Sequence, residues 1–157
     1  MNRLPLILAL FVATGCASAP KAPDELIVGT WECVLSHMPP GSRAEYVATF
    51  RRAGSMRISF AGQFDVEGID VDVDMSANGY YTLGNMRMDG RFEEVTIRKL
   101  LIEGEPADED MMSMFETMFL EMMAEATDSP VHVLDEKKLI LGSGEHSATL
   151  SCSRRAA

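Results

Sequence analysis

The feature that most constrains this chain is a two-residue alternation of apolar and polar side chains. In the stretch IDVDVDM, three aspartates occupy one face of an extended strand, and the other face carries Ile69, Val71, Val73 and Met75. The segments IVGTWECVLS and SMRISF alternate in the same way. Strands that bury one face and expose the other to water are typical of antiparallel sheets. The pattern therefore predicts a mainly β domain.

Turn-forming dipeptides divide the alternating segments. Asn78-Gly79 and Asp89-Gly90 tolerate the positive φ angles of tight hairpins, so we expect a turn at each. The sequence then predicts nine strands, near residues 27–36, 44–51, 55–61, 68–75, 80–88, 91–102, 130–134, 138–142 and 146–153. Because a long meander of hairpins tends to close on itself, we expect an antiparallel up-and-down barrel. Antiparallel closure needs an even number, so either two predicted strands are one bent strand or the helical segment reverses the chain direction.

One segment, residues 106–127, follows a helical period instead. It opens with Pro106 and then three acidic residues, which a helix N-terminus favours. At 100° per residue Glu116 falls on one side, and the apolar side chains on the opposite side include Met111, Phe115, Met118 and Met122. We predict one amphipathic helix, inserted before the last strands, whose Met/Phe face lies against the β domain and covers the sheet or barrel mouth.

The N-terminal segment is typical of an exported protein. Arg3 precedes an apolar run over residues 4–13, which is too short to span a bilayer. Ala13-Thr14-Gly15-Cys16 resembles the lipobox of bacterial lipoproteins, in which the cysteine is acylated and becomes the first residue of the mature protein. Cleavage after Ala17-Ser18-Ala19 by an ordinary secretory peptidase fits less well, because Pro20 follows.

The lipobox resemblance implies a domain organisation and an address. It implies a signal peptide at residues 1–15, a lipidated tether at 16–25 that begins with Cys16, and a single β domain at 26–155. Ala17, where an aspartate would signal retention, implies by resemblance to Gram-negative sorting rules an anchor in the outer membrane that faces the periplasm. Ordinary secretion and a retained membrane anchor are the alternatives.

Cysteine number and net charge narrow the environment further. Lipidation of Cys16 leaves two of the three cysteines, Cys33 and Cys152, near the two ends of the domain. A disulfide between them would stabilise the fold by roughly 4–5 kcal/mol in the chain-entropy model, and two buried free thiols are the alternative. With 14 basic and 24 acidic residues the formal net charge is −10, so nucleic acid is not an expected partner.

The start of the first strand suggests a family. Gly29-Thr30-Trp31, followed by a β meander in an exported chain, resembles the G-x-W opening of lipocalin-like barrels. The resemblance implies a calycin-type barrel of roughly eight to ten strands, whose interior can hold a small apolar ligand. It also implies that Arg154 lies over Trp31. The residues that we expect to line such a site are Trp31, Tyr46, Phe50, Phe60, Met75, Phe115 and Met118.

Motifs for metal binding are incomplete. Asp70, Asp72 and Asp74 have the spacing of a calcium loop, but Met75 and Tyr81 stand where that loop needs a glycine and a carboxylate, so we expect a solvated strand face. Six of the 12 methionines lie within residues 111–123, and thioethers can bind Cu(I). Because these methionines alternate with phenylalanines, packing or an adaptable surface is the better interpretation. We expect no metal and no cofactor.

Catalytic motifs are also lacking, which leaves two classes of function. His37, His132 and His146 are scattered and belong to no catalytic motif, so we do not expect an enzyme. One hypothesis is a carrier of a small apolar ligand. The other is an envelope structural or interaction module with a filled barrel, which binds a protein partner through its Met/Phe helix. The sequence does not separate them, because an apolar stripe looks the same in a cavity wall, a core or an interface.

Overall fold

The structure, a computed structural model, describes residues 20–36, 38, 41–125, 128–142 and 149–156. The predicted signal peptide and Cys16 lie outside these residues. Within them the chain forms two helices and nine strands: α1 (Pro23–Ile27), β1 (Gly29–Leu35), β2 (Arg43–Phe50), β3 (Ser55–Val66), β4 (Ile69–Gly84), β5 (Arg87–Ile102), β6 (Glu105–Pro106), α2 (Glu109–Glu125), β7 (Asp128–Leu134), β8 (Lys138–Gly142) and β9 (Thr149–Arg154). None of the helices in the described ranges is both long and apolar enough to cross a membrane.

Eight of the strands close into an antiparallel barrel. Around the barrel the order is β4, β3, β2, β1, β9, β8, β7 and β5, and β5 pairs again with β4. The two-residue strand β6 pairs with the far end of β5. The predicted fold class, a closed antiparallel barrel with a helix before the last strands, is confirmed.

The predicted hairpins at Asn78-Gly79 and Asp89-Gly90 are wrong, because both dipeptides lie inside long strands. β4 and β5 each contain 16 residues, and the turn between them is Asn85-Met86, where both residues have positive φ. Gly79 instead allows β4 and β5 to approach closely, since a Cβ there would lie 2.1 Å from the Arg91 carbonyl oxygen. Register shifts at Asp74/Met75 and Asn78/Gly79 bend the pair. Of the two ways to reach an even strand number, the bent strand is the one that occurs.

The two ends of the barrel differ. At the closed end, α1 precedes β1, and its Ile27 is fully buried in the same cluster as Trp31. The turn at Asn85-Met86 also lies at this end. At the other end, which we call the helix end, are the turns at Glu67-Gly68 and Glu103-Gly104. Helix α1 begins at Pro23, inside the stretch predicted as a tether.

Helix α2 lies beside β5 where a neighbouring strand would otherwise pair with it. β6 pairs with β5 at Leu101 and Ile102, whereas β7 pairs with β5 only at residues 87–89. Between these two pairings the chain forms α2, which lies against β5. A strand edge left uncovered exposes unpaired backbone groups to water and to other chains. The helix covers this part of the β5 edge.

The barrel interior is packed in two clusters along its axis. The closed-end cluster surrounds Trp31 and Leu139, which are both fully buried. The helix-end cluster consists of buried side chains from β3, β4 and β5, and four residues of α2 pack against it: Met112, Phe115, Phe119 and Leu120. Tyr46 and Phe92 contact both clusters. These two side chains therefore form the boundary between the two halves of the interior.

Candidate functional site

Arg154 and Trp31 organise the closed end. The Trp31 indole donates a 2.8 Å hydrogen bond to the Ile27 carbonyl, and the Arg154 guanidinium carbon lies 4.2 Å from the ring centroid of Trp31. Arg154 also donates hydrogen bonds to the backbone carbonyls of Leu26, Val28 and Glu136. The expected contact of Arg154 with Trp31 is confirmed. One arginine thus joins α1, the β7–β8 turn and the end of β9.

The two cysteines of the β domain are register partners on neighbouring strands. Cys33 in β1 pairs with Cys152 in β9, their Cα atoms are 3.9 Å apart, and their sulfur atoms are at bonding distance, 2.07 Å. This disulfide joins the first and last strands of the barrel across 119 residues of sequence. The alternative of two free thiols does not describe the structure.

The helix-end cavity lies between the barrel wall and α2. Its volume is about 220 Å³, and it is lined by Leu35, Tyr46, Phe60, Phe64, Val71, Val73, Met75, Leu100, Phe115 and Phe119. Half of these residues are aromatic, and none is charged. The Tyr46 and Phe60 ring centroids are 4.6 Å apart, and Phe60 stacks on Phe64 at 5.6 Å. The cavity therefore presents aromatic surface on the barrel side and on the helix side.

The closed-end cavity lies in the other half of the barrel interior, and Phe92 of the boundary is part of its lining. Its volume is about 160 Å³, and six strands contribute to its lining: Ala48, Phe50, Met56, Ile58, Met88, Gly90, Phe92, Ser129, Leu139, Leu141, Gly142, Leu150 and Cys152. Ser129 is the only residue of this lining whose side chain is polar and not sulfur-bearing. A site this size in an apolar wall suits an apolar occupant.

The residues predicted to line a ligand site divide between these places. Four of them line the helix-end cavity: Tyr46, Phe60, Met75 and Phe115. Phe50 lines the closed-end cavity, Trp31 packs under Arg154 and lines neither cavity, and Met118 is 43% exposed. The prediction missed Val71 and Val73, although they share the alternating strand face of Met75. It also missed Phe119, which the helical period placed on the correct side.

Helix α2 is rotated relative to the prediction. Phe115 and Phe119 pack against the helix-end cluster, but Met114 is 61% exposed and Met118 is 43% exposed, so the expected packing of Met118 against the barrel is wrong. Met111 is half-buried. The side chain of Met122 lies outside the described part of the structure. The helix begins later than predicted, because Asp108 caps it by accepting a 2.8 Å hydrogen bond from the Met111 N–H and Pro106 belongs to β6.

The physical reason for the rotation is a long-range hydrogen bond. The Glu116 carboxylate accepts a 2.7 Å hydrogen bond from the Ile97 backbone N–H in β5. The placement of Glu116 on the solvent side is therefore wrong. The face of α2 that contacts the barrel therefore includes the charged Glu116, which is held there by its hydrogen bond to a backbone N–H.

Two of the three aspartates in the β4 row, Asp72 and Asp74, are paired with basic side chains of β5. Lys99 donates a 2.6 Å hydrogen bond to Asp72, and Arg98 donates one to Asp74. The Lys99 hydrogen bond is the main cause that lowers the pKa of Asp72 below its ordinary value. In the described ranges no group of three or more His, Cys, Asp or Glu side chains is arranged to hold a metal ion. His132 is exposed on β7, and His37 and His146 lie outside the described residues.

Tyr46 is the one residue in the described lining of the helix-end cavity whose side chain carries a hydroxyl group. Among the residues that the structure describes, no hydrogen-bond partner contacts its hydroxyl group, and burial alone raises the pKa of Tyr46. Tyr81 provides a contrast, because its hydroxyl donates a 3.0 Å hydrogen bond to the Arg51 carbonyl. The Tyr46 hydroxyl can therefore donate to water or to a molecule in the cavity, because no group in that part of the chain accepts from it.

Comparisons with known proteins add a weak likeness in fold. No protein-family model matches the chain, and no curated protein matches it. Among solved structures, the chain is similar to an NMR structure of a protein from Burkholderia xenovorans, with a TM-score of 0.40 and 15% sequence identity over 100% of both chains.

Proposed function

We propose that this protein is a lipid-anchored envelope carrier that holds a small apolar molecule in the helix-end cavity of a lipocalin-like barrel. The observation that carries the proposal is an uncharged, aromatic-lined cavity of about 220 Å³ beneath α2. An apolar cavity of about 150 Å³ in another protein stays dry and binds benzene. The helix-end cavity therefore has room for a compact molecule, such as one with a single ring. Transfer of that molecule from water is favoured by roughly 25 cal/mol for each Å² of apolar surface buried.

Two features support the lipocalin-like part of the proposal. Gly29-Thr30-Trp31 begins the first barrel strand, and Arg154 from the last strand lies over Trp31. In this arrangement the closed end needs no ligand for its stability, because α1, Trp31 and Arg154 are joined by hydrogen bonds and by the contact of Arg154 with the Trp31 ring. We assign binding to the opposite half of the barrel, because the cavity there is the larger of the two and aromatic side chains line it from both the barrel and α2.

The position of α1 supports one orientation for an anchored molecule. Lys21 forms a 2.7 Å ion pair with Glu136 in the β7–β8 turn, so the chain approaches the barrel at the closed end. Cys16 precedes Lys21 by only a few residues, and each extended residue spans about 3.3–3.6 Å. A lipid on Cys16 would therefore lie near the closed end. The closed end then faces the outer membrane, and the helix-end cavity faces the periplasm. The ligand would be exchanged with the periplasm and not directly with the bilayer.

Native mass spectrometry of protein purified from its own envelope tests this function. We expect a diacylglyceryl-type mass on Cys16 and, in addition, a non-covalent molecule that organic extraction removes. Cys16→Ser is the control: the acyl mass and membrane association should disappear, whereas the non-covalent molecule should remain. If the envelope protein carries only the polypeptide and acyl masses, and apolar ring compounds do not raise its melting temperature, the carrier function is wrong.

The envelope interaction module remains the second candidate because of one observation. Met114 and Met118, one helical turn apart, are exposed on the outer side of α2. If this methionine pair binds a protein partner, then Met114→Lys together with Met118→Lys should remove a specific crosslink in intact envelopes. The same double variant should leave a molecule in the helix-end cavity in place, because neither side chain lines it.

A further inference from the structure

The Tyr46 hydroxyl group needs a hydrogen-bond partner when a molecule fills the helix-end cavity. Tyr46 lines the cavity with its ring held against Phe60, and its hydroxyl has no acceptor among the described residues. A ligand that fills the cavity displaces water from this hydroxyl, and an acceptor on the ligand then replaces the hydrogen bond that the water made. All the other lining side chains are hydrocarbon or thioether. A ligand can therefore satisfy one hydrogen-bonding group in this cavity through Tyr46.

We infer, on the basis of the proposed function, that the ligand is an uncharged ring compound with a single oxygen that hydrogen-bonds to Tyr46. Rings suit the lining because Phe60, Phe64, Phe115 and Phe119 present faces and edges that pack well against another ring. The cavity volume limits the molecule to one ring with small substituents. Tyr46 is thus the specificity-determining residue of the cavity.

The same lining excludes charged ligands. Among the described residues no basic side chain lines the helix-end cavity, so a carboxylate would enter without a counter-ion. The formal net charge of −10 opposes anions in general. A cation is excluded for a different reason. The described lining contains no carboxylate to pair with it, and aromatic faces alone compensate only part of its desolvation.

Three probes of matched shape separate these contributions. p-Xylene and p-cresol differ by one methyl-to-hydroxyl exchange, and 4-methylbenzoate has the same ring with a charged group. NMR titration should show that all the neutral probes bind and that 4-methylbenzoate at pH 7.5 binds at least about tenfold more weakly than p-cresol. Tyr46→Phe should weaken p-cresol binding about threefold to tenfold and leave p-xylene binding within about twofold, which is the effect of one hydrogen bond.

Tyr81→Phe is the matched control, because the Tyr81 hydroxyl is bonded within the protein. It should lower the melting temperature and change the affinity for neither probe. If both neutral probes bind and Tyr46→Phe leaves their affinity ratio unchanged, the carrier function stands and the role of Tyr46 is overturned. Equal affinity for 4-methylbenzoate and p-cresol overturns the exclusion of charge. If none of the probes binds, the proposed function and this inference both fail.

Discussion

The Glu116 carboxylate in α2 accepts a 2.7 Å hydrogen bond from the backbone N–H of Ile97 in β5. At this point β5 contains an extra residue, since Ile97 and Lys99 pair with consecutive residues of β4 and Arg98 lies between them. The hydrogen bond therefore attaches the helix at a β-bulge. It also determines which side of α2 faces the barrel and hence which side chains line the helix-end cavity.

Glu116→Ala should lower the free energy of unfolding by about 1.5–3 kcal/mol, the usual contribution of a hydrogen bond to a charged group. Glu121→Ala removes the same charge from an exposed position of the same helix and should change that free energy by less than about 0.5 kcal/mol. Urea denaturation of the two variants measures the difference. Equal values for both would show that the Glu116 bond does not hold the helix.

Phe115→Ala should be strongly destabilising, because Phe115 packs against the helix-end cluster and lines the cavity. We expect a loss of about 3 kcal/mol, the lower end of the range for buried phenylalanine, since the side chain is only partly buried. Met118→Ala is the control on the exposed side and should cost less than about 0.5 kcal/mol. Thermal unfolding followed by circular dichroism measures both, and the reverse order of effects would mean that α2 docks through its methionine side.

Arg154→Lys should destabilise the closed end although the charge is kept. Lysine cannot donate to three backbone carbonyls from one planar group, so we expect a loss of about 2 kcal/mol. Trp31 is the single tryptophan, and its fluorescence should shift to longer wavelength as water reaches the indole. Arg155→Lys at an exposed ion pair with Glu32 should leave stability and emission unchanged. An unshifted emission in Arg154→Lys would contradict the closing role of Arg154.

Loss of the Cys33–Cys152 disulfide should cost about 4–5 kcal/mol, as expected for a crosslink between residues 119 apart. The double variant Cys33→Ser with Cys152→Ser avoids a lone thiol and can be compared with the folded oxidised protein by denaturant unfolding. Thiol titration of the exported domain with Cys16→Ser should find no reactive group before reduction and two after it. Two reactive thiols before reduction would refute the bond.

The features that the sequence predicts correctly depend on short sequence patterns and on residue types. Burial of one strand face repeats every two residues, so the mainly β fold follows from segments such as the one that holds Val73 and Met75. Cys33 and Cys152 could be paired because an exported protein seldom leaves thiols free. The family resemblance predicts that Arg154 lies over Trp31, and this contact is present.

The features that it misses depend on distant parts of the chain. Asn78-Gly79 has the composition of a hairpin turn, but the approach of the Arg91 backbone makes its glycine part of a bulge. The true turn contains Met86 with φ of 56°, a conformation that methionine seldom adopts. The rotation of α2 depends on a hydrogen bond between residues 19 apart. The position and volume of each cavity do not follow from the sequence, because they depend on differences in packing between residues of the same apolar pattern.

The methionine side chains offer the most direct test of the carrier account. Met75 lines the helix-end cavity, Met56 lines the closed-end cavity, and Met114 and Met118 lie exposed on α2. With ¹³C-labelled methionine methyl groups, titration of the whole protein with p-xylene should shift the Met75 resonance to saturation and leave Met114 and Met118 in place. A Met75 resonance that does not move up to the solubility limit of p-xylene, or shifts confined to Met114 and Met118, would contradict the account.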